Sequence, residues 1–184
     1  MINRIFVGTT LVVIFSICIY FSFIVELLIA INLASLYDAY NLVSLHPNIA
    51  LIITLIMPIF NFYMFYSYQY NQEFVMKVIL ITQLSDIYQY LFGTFWGRHK
   101  IGYISKNKTY EGFLLGFIFT ILTFIWLYPL IDIILIYFCG ILSGLCSSYI
   151  KRKLEIKDYS NLLGSHGGWI DRIDSIIIPM LFLS

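Results

Sequence analysis

Long apolar runs constrain this chain more than any other feature of its sequence. Six of them, separated by short polar stretches, cover about residues 5–36, 49–66, 74–95, 112–128, 129–150 and 173–184. About 20 such residues cross the hydrocarbon core of a bilayer as a helix. With 60% hydrophobic and 11% charged residues, the chain has too much apolar surface for a soluble domain of this size to bury. The sequence therefore predicts an all-α polytopic integral membrane protein with about six transmembrane segments.

The first and last runs differ from a single upright helix. The run at 5–36 is interrupted by Glu26 and Asn32, and it fits either one long tilted helix or two shorter ones. It is also too long for a secretory signal peptide. The run at 173–184 is only about half a membrane thick. No repeat, linker or low-complexity segment divides the chain, so we expect one domain over residues 1–184.

The basic residues predict the orientation of the chain in the membrane. Nine of the eleven lie in two loops, and they are Arg98, Lys100, Lys106, Lys108, Lys151, Arg152, Lys153, Lys157 and Arg172. Loops rich in Lys and Arg face the cytoplasm. Both loops are therefore expected on the cytoplasmic side, with the two apolar runs between them forming a hairpin. The side on which the N-terminal part begins stays open.

Asp86 lies about midway along the third apolar run. A carboxylate inside a bilayer costs a few kcal/mol or more, and such residues usually line a polar cavity. Gln83 and Tyr90 share its helix face and extend a polar stripe towards the first basic loop. The alternative is an acid that is neutral, snorkels to the interface or pairs with a neighbour on its helix.

The first basic loop ends in Lys108 and Thr109, directly before Glu111 and an apolar run. Backbone N–H groups at a helix N-terminus bind anions. A lysine and a hydroxyl beside such an end therefore predict a phosphate clamp, although a positive-inside patch would also explain scattered basic residues. Gly112 and Gly116, four residues apart, predict close packing of this helix against a neighbour.

The second basic loop ends in two closely spaced carboxylates, Asp171 and Asp174. Their spacing of three places both on one helical face. Joined by Asp86 or Asp158, they would suit Mg²⁺, which prefers oxygen ligands and is often shared between carboxylates and substrate phosphates. Arg172 between them can offset charge or hold a phosphate.

Glycines precede these carboxylates in the stretch His166, Gly167, Gly168. Glycine lets a backbone approach a ligand closely, so we expect a phosphate contact here, with a structural helix cap as the alternative for the histidine. Cations, carboxylates and glycines at a membrane surface indicate phosphoryl or nucleotidyl transfer. A transporter would instead distribute its polar residues across several spans.

The spacing of these residues closely resembles the signature of the phosphatidate cytidylyltransferases, also called CDP-diacylglycerol synthases. The signature residues are Ser148, Lys151-Arg152, Lys157-Asp158, His166-Gly167-Gly168 and Asp171-Arg172-Ile173-Asp174. Upstream, the matching positions are Asp86, Gln89-Tyr90, Gly93, Gly97-Arg98-His99-Lys100, Ser105 and Lys108-Thr109-Tyr110-Glu111-Gly112. The resemblance covers roughly residues 85–175. Gly144 stands where many bacterial members carry an Asp.

This resemblance implies the synthesis of CDP-diacylglycerol and pyrophosphate from CTP and phosphatidic acid, in phospholipid biosynthesis. It implies Mg²⁺, with room for a second cation such as K⁺, on Asp86, Asp171 and Asp174. The residues implied in catalysis are Lys151, Arg152, Lys157, Asp158, His166 and Arg172. Those implied in substrate binding are Ser148, Lys108, Thr109, Glu111, Gly167, Gly168 and Arg98.

The expected partners are therefore CTP, phosphatidic acid and membrane lipid, without nucleic acid, and the resemblance leaves room for a homodimer. The active site is expected to face the cytoplasm, where a soluble nucleotide meets a lipid head group. Two alternatives remain open at this point. One is a CTP-dependent enzyme acting on another membrane lipid, as in CDP-archaeol synthesis, and the other is a truncated family member without activity.

Overall fold

The computed structural model of the chain describes residues 24–43, 45–102, 108–163 and 167–183. Seven helices lie in these ranges: α1 (Ile24–Val43), α2 (Pro47–Tyr70), α3 (Gln72–Phe95), α4 (Tyr110–Phe124), α5 (Leu130–Lys153), α6 (Ile170–Ile173) and α7 (Ile177–Leu183). The described ranges contain no β-strand, only an isolated antiparallel bridge between Lys100 and Thr109. The all-α prediction is therefore confirmed.

Two of these helices are long and apolar enough to cross a membrane, namely α2 and α5. Only 22% of the most apolar window of α2 and 33% of that of α5 are buried inside the protein. Side chains such as Ile59, which is 70% exposed, therefore need an apolar environment outside the protein. The shorter apolar helix α4 covers most of the run predicted at 112–128. Most of the first predicted run lies outside the described residues.

Polar side chains and proline set where several helices begin. Asn71 precedes α3 and accepts the N–H of Phe74 at 3.1 Å, and Thr109 precedes α4 and accepts the N–H of Gly112 at 3.1 Å. Each satisfies one of the N–H groups that a helix start leaves without an intrahelical partner. Pro47 occupies the first position of α2, where its missing N–H costs no hydrogen bond.

The described chain divides into two compact units. The first comprises the described parts of Met1–Tyr66 and Ile156–Ile173. On α1 it buries one face formed by Ser35, Asp38, Ala39 and Leu42, each at most 1% exposed. Ser35 accepts a hydrogen bond from Asn61 of α2 at 3.4 Å. A polar contact thus joins these two helices. The single-domain organisation stays a prediction.

The second unit comprises the described parts of Ser67–Glu155 and Asp174–Ser184. Here α3 and α4 pack backbone to backbone. A Cβ at Gly112 would lie 2.7 Å from the carbonyl oxygen of Gln89, and one at Gly116 would lie 2.9 Å from Gln89 Cγ. The close packing predicted from the spacing of these glycines is confirmed. Tyr137 of α5 joins this pair by donating its hydroxyl to the carbonyl of Phe113 at 2.6 Å.

Candidate active site

The second unit contains a charged cluster at the basic end of α5. Lys151 Nζ lies 3.4 Å from Asp174 Oδ2, and the two side chains are 11% and 16% exposed. Ser143, about two turns earlier on α5, donates its hydroxyl to the backbone carbonyl of Asp174. The same hydroxyl oxygen accepts the N–H of Ile178 at 3.3 Å. One helix therefore holds both the carboxylate and the backbone of Asp174.

Asp86 and Lys108 bring a second acid and a second base to this cluster. Both interact electrostatically with Asp174, Asp86 by repulsion and Lys108 by attraction. Lys108 Nζ lies 3.2 Å from the position that a Cβ would take at Gly144 on α5. The structure thus brings within electrostatic range of one another four of the residues that the sequence singled out, two carboxylates and two ammonium groups.

The segment that delivers Lys108 to the cluster is shaped by Glu111. Its carboxylate accepts the backbone N–H groups of Arg98 and His99 at 3.1 Å, and His99 Nδ1 lies 2.5 Å from it. Glu111 lies in the first turn of α4, directly before the apolar residues of that helix. The hydrogen bond from the His99 ring, with help from backbone N–H groups, lowers the pKa of Glu111 from 4.5 to about 2. Glu111 and the capping Thr109 therefore have structural roles, and their substrate contacts stay predictions.

In the first unit, Asp171 organises the loop that carries the two adjacent glycines. Its Oδ2 accepts the backbone N–H groups of Tyr159 and Gly168, each at 2.9 Å. Gly167 has a φ of +80°, and a Cβ there would lie 3.0 Å from Asp171 Oδ2 and 3.2 Å from Asp158. Glycine is favoured at this φ. The loop conformation thus explains this glycine without a ligand, and its phosphate contact stays a prediction.

Asp38 is a buried carboxylate that the sequence analysis did not single out. It lies on α1, is fully buried, and accepts hydrogen bonds from the Ser160 hydroxyl at 2.5 Å and the Ile170 N–H at 2.8 Å. A signal was present in the sequence, because Asp38 follows Ser35 and precedes Leu42 at helical spacing. The apolar run predicted from the sequence ends at residue 36, whereas α1 continues to Val43 and includes Asp38.

The other predicted residues lie in a range of environments. Three basic side chains are exposed, and they are Arg98, Lys157 and Arg172. Three further predicted residues are partly buried, and they are Ser148, Arg152 and Asp158. His166 lies outside the described residues. The roles assigned to all seven stay predictions.

The three predicted metal ligands are distributed over both units. Asp86 and Asp174 belong to the second unit and Asp171 to the first. In the described part of the chain, no three His, Cys, Asp or Glu side chains form a group that could hold a metal ion. The chemistry of Asp86 and Asp174 nevertheless fits Mg²⁺, because this ion is commonly bound by one or two carboxylates together with substrate phosphates.

Comparison with known proteins gives a consistent result. The model of the cytidylyltransferase family matches residues 2–184. A phosphatidate cytidylyltransferase of Staphylococcus epidermidis is 37% identical over 134 residues, which are 63% of this chain and 51% of that protein. One from Aquifex aeolicus is 32% identical over 163 residues, which are 83% of this chain and 63% of that protein. No solved structure matches.

The length of the matched region limits what these relatives show. The chain spans about half the length of the staphylococcal relatives it matches, since 51% of the Staphylococcus epidermidis protein and 47% of that of Staphylococcus haemolyticus are covered. The activity of a whole relative therefore comes to this chain only as a proposal.

Proposed function

Because the chain belongs to the cytidylyltransferase family, we propose that it transfers CMP from CTP to phosphatidic acid and releases pyrophosphate. The product would be CDP-diacylglycerol. The observation that carries this proposal is the cluster of Lys151, Asp174, Lys108 and Asp86, in which Lys151 is buried and the other three side chains are partly buried. It pairs ammonium groups for phosphates with carboxylates for a cation, within a chain whose apolar helices suit a membrane-bound substrate.

In the proposed reaction an oxygen of the lipid phosphate attacks the α-phosphorus of CTP. A new P–O bond forms, the bond from the α-phosphorus to the bridging oxygen breaks, and pyrophosphate leaves with that electron pair. No covalent protein nucleophile is needed. Lys151 and Lys108 would neutralise the charge on the phosphates, and Asp174 would hold Lys151 in place. Positioning and charge neutralisation dominate catalysis of this kind.

The cation proposed for this site is Mg²⁺, held by Asp86 and Asp174 together with phosphate oxygens. When bound, it would withdraw charge from the phosphates. Asp171 is the weaker candidate ligand, because its Oδ2 already accepts two backbone N–H groups. The second cation expected from the family resemblance, such as K⁺, has no donor group assigned here.

We also propose a multi-pass topology of about six spans, with the charged cluster on the cytoplasmic side. Its support is the distribution of charge along α5. Asp132 near the start of α5 pairs with Lys77 at 2.7 Å, and Lys151 lies near its end. These positions are separated by 19 residues, or roughly 28 Å of helix, close to the thickness of the hydrocarbon core.

The homodimer for which the family resemblance leaves room would be tested by cross-linking in native membranes.

The test is turnover by the purified full chain in lipid nanodiscs. With α-labelled CTP and Mg²⁺, we expect a labelled CDP-lipid from phosphatidic acid and little from an isoprenoid phosphate or an archaeal ether lipid phosphate. Asp174→Asn should reduce turnover by about 100-fold or more. Asp132→Asn, at the opposite end of α5, is the matched control and should retain it.

Two results would overturn the proposal. One is the absence of any labelled CDP-lipid from folded protein, and the other is full turnover in Asp174→Asn. Transfer to another lipid phosphate in preference to phosphatidic acid would replace the substrate while keeping the reaction.

A further inference from the structure

Asp38 places a fully buried carboxylate directly against the loop that leads into α6. Its Oδ1 accepts the Ser160 hydroxyl at 2.5 Å and its Oδ2 accepts the Ile170 N–H at 2.8 Å. The backbone of Trp169 donates to it as well. Burying a carboxylate is unfavourable unless donors compensate it. Here the donors come from the two ends of the loop, so the carboxylate ties them together.

Gly168 gives independent support for this contact. A Cβ at this position would lie 2.5 Å from Asp38 Oδ2 and 2.7 Å from its Cγ. No side chain fits between this backbone and the carboxylate. The second glycine of the His-Gly-Gly stretch is therefore explained by the approach of Asp38.

The short helix that follows this loop depends on neighbouring groups for its orientation. It is α6, with only four residues from Ile170 to Ile173, and a single turn is not stable in isolation. Its first N–H is held by Asp38, and the preceding Gly168 N–H is held by Asp171. Arg172 projects from this turn and is exposed. The direction in which its guanidinium points thus depends on these two carboxylates.

We propose that Asp38 is a positioning residue of the transfer reaction, an inference that rests on the proposed function. It acts from α1, outside the region of the recognised signature, by fixing the start of the turn that carries Arg172, a predicted phosphate-binding residue. It touches neither substrate in this role. Asp171 holds the same loop from within, so Asp38 is the anchor that a more distant helix supplies.

The test compares Asp38→Ala with Ser35→Ala, a matched control one turn away on the same buried face of α1. Amide hydrogen exchange is measured at Ile170, and turnover is measured well below the melting temperature of each variant. In Asp38→Ala we expect exchange at Ile170 to accelerate on the order of tenfold or more. We also expect turnover per folded molecule to fall by about 10- to 100-fold. Ser35→Ala should melt earlier yet change neither readout.

Two further variants keep the test decisive if Asp38→Ala does not fold. Asp38→Asn should retain most of the turnover, because its amide oxygen can accept the Ile170 N–H while its NH₂ donates to a reversed Ser160 hydroxyl. Gly168→Ala leaves Asp38 in place but pushes the loop away, and it should lose turnover like Asp38→Ala.

Three outcomes of these measurements decide whether Asp38 is a positioning residue. Loss of turnover and of protection at Ile170 in Asp38→Ala, with both retained in Ser35→Ala, supports the proposal. Unchanged exchange at Ile170 would overturn the anchor, and normal turnover despite faster exchange would overturn its role in the reaction. If the wild type itself turns over no lipid phosphate, the proposed function is wrong, and the exchange comparison still decides the anchor.

Discussion

Neutralising both partners of the Lys151–Asp174 pair gives a quantitative test of the charged cluster. At 3.4 Å, two unit charges attract by about 5 kcal/mol at an effective dielectric constant of about 20. The distance exceeds that of an ideal charge-assisted hydrogen bond, and Lys108 also interacts with Asp174. We therefore expect a coupling free energy of about 3 kcal/mol between Lys151→Met and Asp174→Asn.

The assay is reversible unfolding in mixed micelles of the wild type, the two single variants and the double variant. The control is the same cycle with Lys77→Met and Asp132→Asn at the other end of α5. That pair is shorter, at 2.7 Å, but its carboxylate is 34% exposed. Because solvent screening weakens exposed pairs, we expect only about 1 kcal/mol there. The more buried pair, and not the pair with the shorter distance, should therefore have the larger coupling free energy.

A coupling below about 0.5 kcal/mol for Lys151 and Asp174 would refute this reasoning, since that is the value of an exposed pair. So would a larger coupling in the control pair. Turnover provides the functional counterpart, because Lys151→Met should lose it and Lys77→Met should keep it. Equal losses in both would mean that helix stability, and not the cluster, limits the reaction.

Two other predictions concern the surroundings of the cluster. Gly112→Ala should lower the stability by about 1–3 kcal/mol, because its Cβ would meet the backbone oxygen of Gln89 at 2.7 Å. Gly144→Ala should be neutral or stabilising by up to about 1 kcal/mol, because its Cβ would lie 3.2 Å from Lys108 Nζ, the end of a flexible side chain that can shift. Melting temperatures in micelles compare the two variants, and equal losses would contradict the packing argument. Glu111→Gln should remove a pH-dependent stabilisation. Because folding lowers the Glu111 pKa from 4.5 to about 2, the wild type should gain its full advantage above pH 4.5 and lose it progressively as the pH falls through about 2. Unfolding curves across that range measure it, and a pH-independent difference would exclude a role for ionisation.

The sequence was most informative where the controlling interactions are local. The run predicted at 74–95 became Gln72–Phe95, and the run at 129–150 became Leu130–Lys153. Apolar stretches and caps act within a turn or two, so they can be read residue by residue. The signature spacing identified the family for the same reason, and the family match confirms it. Charge and position along the chain singled out Asp86, Lys108 and Asp174, and the family resemblance added the catalytic role of Lys151.

The sequence could not give the reasons for the two glycines or find Asp38. Gly167 and Gly168 read as a phosphate contact, whereas the structure explains both by carboxylates that approach their backbone. Asp38 bonds to Ser160 and Ile170, which are 122 and 132 residues away along the chain. A pattern among neighbouring residues cannot predict contacts between residues so far apart along the chain.

The amino-acid sequence by itself determined that this chain forms apolar helices, where α2, α3 and α5 begin and end to within about four residues, and which family it belongs to. These follow from hydrophobicity and spacing, which are properties of neighbouring residues. Only the tertiary structure decided that Lys151 pairs with Asp174 and that Asp38 holds the loop before α6. A buried charge is tolerated only where donors or opposite charges converge on it, and that convergence is produced by the folding of distant segments onto one another.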